Sequence, residues 1–151
     1  HLEFASAAWN NLSKSDSKKI ERVQKKATGM VIELSWMTYP QRLKKLGWTD
    51  LESRRKRGDM IQLLKILRGF EDVDIGIVER GGGPGRSHTH QIVRELCKNC
   101  YMRNRFLPNR SATTWNSLPP HVVNAISVNS FKARLDKHMA AGLLRRSVYN
   151  V

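Results

Sequence analysis

The sequence lacks the features of a disulfide-stabilised or membrane-spanning protein. Only two of its 151 residues are cysteines, Cys97 and Cys100, which is too few for a disulfide scaffold. No run approaches the roughly 18 apolar residues of a membrane span, and no signal-peptide pattern is present. We therefore expect an intracellular protein, nuclear and cytoplasmic, with no membrane partner.

The sequence also lacks a complete active site. No Gly-x-Ser-x-Gly nucleophile motif occurs. The stretch "GGGPGR" is not followed by the Lys-Ser or Lys-Thr of a phosphate-binding loop. The short acidic clusters, Asp50 with Glu52 and Asp72 with Asp74, lack the context of an acid/base or two-metal site. We assign no catalytic residue and no cofactor to this chain.

One group of side chains has the chemistry of a zinc site. His88 and His90 precede Cys97 and Cys100, and these residue types are common zinc ligands. The two pairs are closer together than in a usual zinc finger, and the histidines lie beside a glycine-rich loop. We interpret them as unligated thiols and loop histidines and assign no metal, with a small structural zinc protein as the alternative.

Acidic residues are scarce, and basic residues are abundant. Lys and Arg number 27 against 13 Asp and Glu, for a formal charge of +14. Such a surface attracts polyanions, so nucleic acid is the expected partner, and a solvated basic surface without a partner is the simpler alternative.

The first half of the chain predicts helices. Residues 18–32 form the clearest amphipathic pattern, and its apolar positions are expected to pack inward: Ile20, Val23, Ala27, Met30 and Val31. Asp16 or Ser17 is the expected cap of this helix. Thr38, Pro40 and Gly47 delimit a second, short helix. A capping box of Thr49 and Glu52 opens a third helix, which Gly69 ends.

The second half is less regular. Residues 70–91 combine an acidic stretch with "RGGGPGRSHTH" and predict a linker. Residues 92–107 fit strand and helix equally well. Pro108 opens a short helix that ends at Pro119 and Pro120, and Ser127 or Asn129 caps a last short helix with Phe131, Leu135 and Met139 inward.

The expected fold is mainly α. A helical, bundle-like region over residues 1–69 is followed by the acidic and glycine-rich linker over 70–91 and a basic C-terminal region over 92–151.

Basic side chains cluster in three places suited to phosphate binding. At about 100° per residue, the cations of the 18–32 helix share one arc of roughly 120°. A second cluster begins at residue 54, and a third lies between residues 94 and 110, where Tyr101 and Phe106 are interleaved. We expect core packing for these two rings and for the four tryptophans. The candidate nucleic-acid-binding residues are Lys18, Lys19, Arg22, Lys25, Lys26, Arg54, Arg55, Arg57, Arg103 and Arg105.

Three blocks of this sequence resemble one known family. The blocks are "HLEFASAAWN" with "IERVQKKAT", then "YPQRLKKLGWTDLESRRKRGDMIQLLKILRG", and last "WNSLPPHVVNAISVNSFKARLDKH". In this order they resemble the region after the palm in reverse transcriptases of non-LTR retrotransposons of the jockey-like and CR1-like group. They cover most of residues 1–138, with the glycine loop as the variable gap.

The resemblance implies the thumb and post-thumb region of an RNA-directed DNA polymerase. The thumb of such enzymes is helical and holds the template-product duplex by its backbone. That role falls on the cations of residues 18–26, with Arg54, Arg55 and Arg57 next. The catalytic aspartates and their Mg²⁺ belong to the palm, and no Tyr/Phe-x-Asp-Asp motif occurs here. The C-terminal zinc knuckle of some related elements is also missing.

The chain begins with His1 and not with methionine, inside a stretch that reads as the middle of a helix. We expect a piece of a longer protein, whose partners are nucleic acid and the remainder of the parent polymerase. The alternative is a standalone or domesticated domain whose basic helix docks on an acidic protein.

Overall fold

The computed structural model describes residues 3, 5–10, 12–81 and 88–148. The predicted mainly α fold is confirmed, because helices dominate and the strands form a single two-residue ladder. The helices are α1 (Ser6–Trp9), α2 (Lys14–Gly29), α3 (Tyr39–Leu46), α4 (Leu51–Leu67), α5 (Tyr101–Asn104), α6 (Leu107–Asn116), α7 (Pro120–Val123) and α8 (Val128–Val148), with a 3₁₀ helix at Ile32–Leu34. The strands are β1 (Glu79–Arg80) and β2 (Gln91–Ile92).

The chain divides into two compact units, His1–Asp59 and Met60–Val151. The division falls inside α4, whereas the sequence suggested a boundary in the linker at 70–91. The glycine-rich part of that linker, residues 82–87, lies outside the described residues.

Helix α2 begins four residues earlier than the sequence predicts. Ser13 is its cap, because the Ser13 hydroxyl accepts a hydrogen bond from the Asp16 amide at 3.1 Å. The predicted caps, Asp16 and Ser17, lie inside the helix. Asp16 instead occupies the first turn, where a negative charge stabilises the positive end of the helix dipole.

The buried side of α2 is polar. Gln24 and Thr28 are buried, and the Gln24 amide donates to the Tyr39 hydroxyl at 2.9 Å and to the Thr49 carbonyl oxygen at 3.2 Å. Arg42 of α3 is buried as well and donates through Nε to the Thr28 hydroxyl at 3.2 Å. Hydrogen bonds therefore join α2 to α3 and to the chain entering α4.

The predicted inward packing of the apolar stripe on α2 is wrong. Val23 is 53% exposed and Met30 is 75% exposed, and Ala27 and Val31 also lie on the surface. Ile20 alone of the five is partly covered. Residues between Tyr39 and Thr49 hydrogen-bond to the side of α2 that carries Gln24 and Thr28, so these directional bonds help to fix which side is buried.

The ends of α3 follow the prediction, and the start of α4 differs in detail. Thr38 and Gln41 form a capping box at α3, and Gly47 ends α3 with a positive φ of 65°. At α4 the cap is Asp50, whose carboxylate accepts from the Ser53 amide at 2.8 Å. The predicted box of Thr49 with Glu52 is therefore replaced by the adjacent aspartate, a strong cap residue.

The core of the second unit surrounds Trp115 on α6. Trp115 and Phe131 are fully buried, and their ring centroids are 6.1 Å apart. Helix α8 is 21 residues long, so the prediction of a short last helix is wrong, although Ser127 caps it and Phe131 and Leu135 face inward as expected. Met139 is half-buried.

The dipeptide Trp115-Asn116 holds the small sheet against α6. The Trp115 indole nitrogen donates to the His90 carbonyl oxygen at 2.7 Å. The Asn116 side chain accepts from the Ile92 amide at 3.0 Å and donates to the Ile92 carbonyl oxygen at 2.9 Å, as a neighbouring strand would. The ladder itself pairs Glu79 with Ile92 in antiparallel register.

Candidate nucleic-acid interface

Helix α2 presents a row of exposed cations. All five predicted binding residues of this helix have exposed side chains: Lys18, Lys19, Arg22, Lys25 and Lys26. Lys19 forms an ion pair with Asp16 at 3.0 Å. The Ser13 hydroxyl and then the Lys19 ammonium hold the pKa of Asp16 below its usual range, so this carboxylate remains ionised.

The other four cations of this row form no ion pair with any described residue. Lys18, Arg22 and Lys25 recur at spacings of four and three residues, which places them on one side of α2. The helix carries them on a backbone fixed by the Gln24 and Thr28 hydrogen bonds on another side. The result is a fixed row of positive charge with its donors available to an external anion.

The second predicted cluster, at residues 54–57, is largely occupied within the fold. Arg54 forms an ion pair with Glu3 at 2.6 Å, donates to the Gln24 side chain and lies over the Trp48 ring, 5.9 Å from its centroid. Arg57 is half-buried. Arg54 therefore helps to hold α2 against α4.

Arg55 is in the interior, and its predicted role in phosphate binding is not compatible with this position. Its side chain is 2% exposed, and Nη2 donates to the Ser17 hydroxyl at 2.8 Å. The Nε and Nη1 atoms of Arg55 are buried without a hydrogen-bond partner. The sequence misleads here because Arg55 faces α2 while its charged neighbours Glu52 and Lys56 face solvent.

The third cluster is built around α5 in the second unit. Arg103 is exposed, and its guanidinium carbon lies 5.5 Å from the centroid of the Phe106 ring. Arg105 lies over the Tyr101 ring at 4.9 Å. Both rings are at the surface, so the expected core packing of Tyr101 and Phe106 is wrong.

The four zinc-capable residues are not brought together. His88 is buried, and its Nε2 bonds the Trp115 carbonyl oxygen at 2.9 Å, while His90 pairs through Nδ1 with Glu79 at 3.1 Å. Cys97 and Cys100 are free thiols. Across the described ranges, no three His, Cys, Asp or Glu side chains converge on a possible metal position.

Sequence reasoning missed an exposed apolar strip in the first unit. It continues from α2 into the 3₁₀ helix, and Trp36 at its end is 76% exposed, contrary to the expected core position of the tryptophans. Trp48 is also exposed, while Trp9 is half-buried and Trp115 alone is fully buried. The strip consists of Val23, Met30, Val31, Ile32 and Trp36.

Asparagine side chains that organise the second unit were also missed. Asn109 is buried, accepts from the Glu95 amide at 2.9 Å and donates to the Arg103 carbonyl oxygen at 2.8 Å. A buried asparagine of this kind gives no periodic signal in the sequence, because its side chain bonds the backbone of residues 6 and 14 positions away.

None of the helices in the described part of the chain has the length and apolar character needed to cross a bilayer. Comparisons with models of protein families, with curated proteins and with solved structures found no match to this chain.

Proposed function

We propose that this chain is a nucleic-acid-binding part of a reverse transcriptase of a non-LTR retrotransposon, in the thumb and post-thumb region. Helix α2 grips the template-product duplex by its phosphates, and the chain supplies no catalytic residue. The Mg²⁺ chemistry belongs to the palm of the parent polymerase. A protein with this role works in the nucleus and the cytoplasm.

The observation that carries this proposal is that four of the five exposed cations on α2 form no ion pair with any described residue: Lys18, Arg22, Lys25 and Lys26. Lys18, Arg22 and Lys25 lie on one side of the helix, and none of them forms an ion pair with a carboxylate of the described residues. Ammonium and guanidinium groups on a helix face bind phosphate oxygens and carry little base specificity. This is the chemistry that a polymerase needs to hold duplexes of any sequence.

The proposal is tested by binding an RNA-DNA hybrid to the charge-reversed double variant Lys18→Glu/Lys25→Glu. The matched control is Lys44→Glu/Lys45→Glu, which makes the same charge change at exposed positions of α3. Loss of two phosphate contacts lowers the slope of log affinity against log salt by up to about 1.8, by analogy with duplex DNA. We expect that loss for the α2 variant only, and to the same extent for two hybrids of unrelated sequence. An equal loss in the α3 control would contradict the assignment to α2.

The exposed apolar strip beside these cations favours a second candidate function. A strip containing Met30 and Trp36 next to lysines suits a protein surface that is apolar and acidic. In that case the remainder of the parent polymerase, or an acidic protein bound by a standalone domain, covers α2. Unchanged hybrid binding in Lys18→Glu/Lys25→Glu, together with lost binding in Trp36→Ala to the polymerase remainder, would select this candidate.

A further inference from the structure

The chain from Tyr101 to Phe106 carries two guanidinium-aromatic pairs. Arg105 covers one face of the Tyr101 ring, and Arg103 covers one face of the Phe106 ring. The Tyr101 side chain is nevertheless 55% exposed, and the Phe106 side chain is 36% exposed. We call these four side chains the stacking platform.

The platform is held by its own hydrogen bonds. Glu95 accepts from Nε of Arg103 at 2.6 Å and from Nη2 at 3.2 Å, a two-point contact that fixes the plane of the guanidinium. The same contact holds the pKa of Glu95 below its usual range, so its carboxylate remains ionised. The Asn109 side chain binds the backbone of both Glu95 and Arg103. Arg110 donates to the Arg105 carbonyl oxygen at 2.9 Å.

The surroundings of the platform are basic. Residues 94–110 contain five cations and one carboxylate, that of Glu95, which is already occupied by Arg103. Arg94 and Lys98 are exposed. An anionic ligand with a flat, unsaturated ring meets both requirements, because its charge attracts the cations while its ring stacks on the exposed aromatic and guanidinium planes.

A neighbouring cavity limits how such a ligand is seated. The cavity has a volume of about 60 Å³ and is lined by Val78, Val93, Phe106 and Asn109 among others. That is room for a few water molecules and not for a heterocyclic base. A ring that stacks on the platform therefore lies on the exposed surface of Tyr101 and Phe106 and not inside this cavity.

The geometry points to a binding site for unpaired nucleotides of single-stranded nucleic acid on the stacking platform. Bases in a duplex are covered by their neighbours on both faces, so the platform takes single strands, while α2 takes duplex phosphates. This inference rests on the proposed function and extends it, because it adds a second substrate class. It assigns Tyr101 and Phe106 to base stacking and the exposed Arg94 and Lys98 to the phosphates.

The test measures the affinity of the full chain for a 12-nucleotide single-stranded RNA and for a blunt RNA-DNA hybrid. The variant Tyr101→Leu/Phe106→Leu keeps apolar bulk and removes both rings. We expect its affinity for the single strand to fall about tenfold, since stacking on one aromatic side chain accounts for about a tenfold change or more. Its affinity for the hybrid should be unchanged, and quenching of a 2-aminopurine base in the single strand should be lost.

The matched control is Met102→Leu, at an exposed position of the same turn without an aromatic ring. Full single-strand affinity in Tyr101→Leu/Phe106→Leu, or an equal loss for both nucleic acids, would overturn the platform. If single-strand affinity is unchanged but Lys18→Glu/Lys25→Glu still loses affinity for the hybrid, the platform fails and the proposed function stands. If the unaltered chain binds neither nucleic acid, the proposed function fails and the platform fails with it.

Discussion

The phenol of Tyr39 donates a hydrogen bond to the carboxylate of Glu21, and the other oxygen of that carboxylate accepts from the Leu51 amide at 3.0 Å. One side chain of α2 thus receives bonds from the start of α3 and from the first turn of α4. Burial, reinforced by the Glu21 carboxylate, raises the pKa of Tyr39 to about 12. We therefore expect this unit to lose stability at alkaline pH.

Removing the Tyr39 hydroxyl should remove that sensitivity. Because folding raises the pKa, the folded state holds the phenolic proton more tightly; the contribution to stability is complete below pH 10 and is lost as the pH rises through about 12. In an absorbance titration of tyrosinate, Tyr39→Phe should lack the tyrosine that titrates near pH 12, and its free energy of unfolding should fall less between pH 9 and pH 11.5. Tyr101→Phe, at an exposed ring, is the control. Equal alkaline loss in Tyr39→Phe and the unaltered protein would contradict this expectation.

Replacing a buried glutamine by leucine should destabilise the protein, although leucine is the better apolar residue and helix former. Gln24→Leu removes one hydrogen bond each from the Tyr39 hydroxyl, the Thr49 carbonyl oxygen and Arg54. A single hydrogen bond contributes about 0.5–1.5 kcal/mol net, so we expect the loss of all three to cost about 1–3 kcal/mol. The adjacent change Val23→Gln, at an exposed apolar position, should stay within about 0.5 kcal/mol. Urea unfolding measures both, and the reverse order of the two effects would mean that the apolar side of α2 is the buried one.

The change Arg55→Met should preserve nucleic-acid binding and stability. The guanidinium is buried with only the Ser17 hydroxyl as hydrogen-bond partner, and replacing a buried charge by an apolar side chain of similar volume is often neutral or stabilising. We expect an unfolding free energy equal to or above that of the unaltered protein, and hybrid affinity no lower than in the exposed control Lys56→Met. A loss of affinity in Arg55→Met alone would show that this side chain reaches phosphate.

The two histidines should differ in their effect on stability. His88→Ala removes a buried ring that packs edge-on against Trp115 and bonds its carbonyl, so a loss of about 2 kcal/mol or more is expected. His90→Ala removes a partly exposed contact with Glu79, which contributes about 1 kcal/mol at most. For the unaltered chain, the thermal unfolding temperature should be the same with added zinc as with a chelator. Equal, zinc-dependent losses in both variants would instead support a metal site.

Local signals in the sequence identified both ends of α3 and the cap of α8, whereas the start of α2 was placed four residues late. Thr38, Pro40 and Gly47 delimit α3 through capping and backbone geometry that depend on neighbouring residues only. The inward positions of Phe131 and Leu135 follow from helical spacing. The buried side of α2 was not predictable, because hydropathy ranks Val23 above Gln24 while the partners of Gln24 are 15 and 25 residues away in the chain.

The candidate site was also predictable only in part, because local patterns reveal some of its residues while others depend on contacts with distant parts of the chain. Exposure of Lys18, Arg22 and Lys25 follows from their charge and their shared side of the helix. The interior position of Arg55 depends on which side of α4 faces α2, and basic residue type alone does not contain that information. Surface exposure of Tyr101 likewise depends on the irregular chain around α5, where no period applies.

The hydrogen-bonded side of α2 restricts which substitutions this sequence can accept during evolution. An apolar contact tolerates many side chains of similar volume. The hydrogen bonds from Gln24 to Tyr39 and from Arg54 to Gln24 each require a donor and an acceptor at matched positions. Substitution at one of these positions removes a hydrogen bond from another, so we expect the three to change together more often than singly. Val23 and Met30, the most hydrophobic-looking positions of the helix, are free to drift singly wherever no partner covers them.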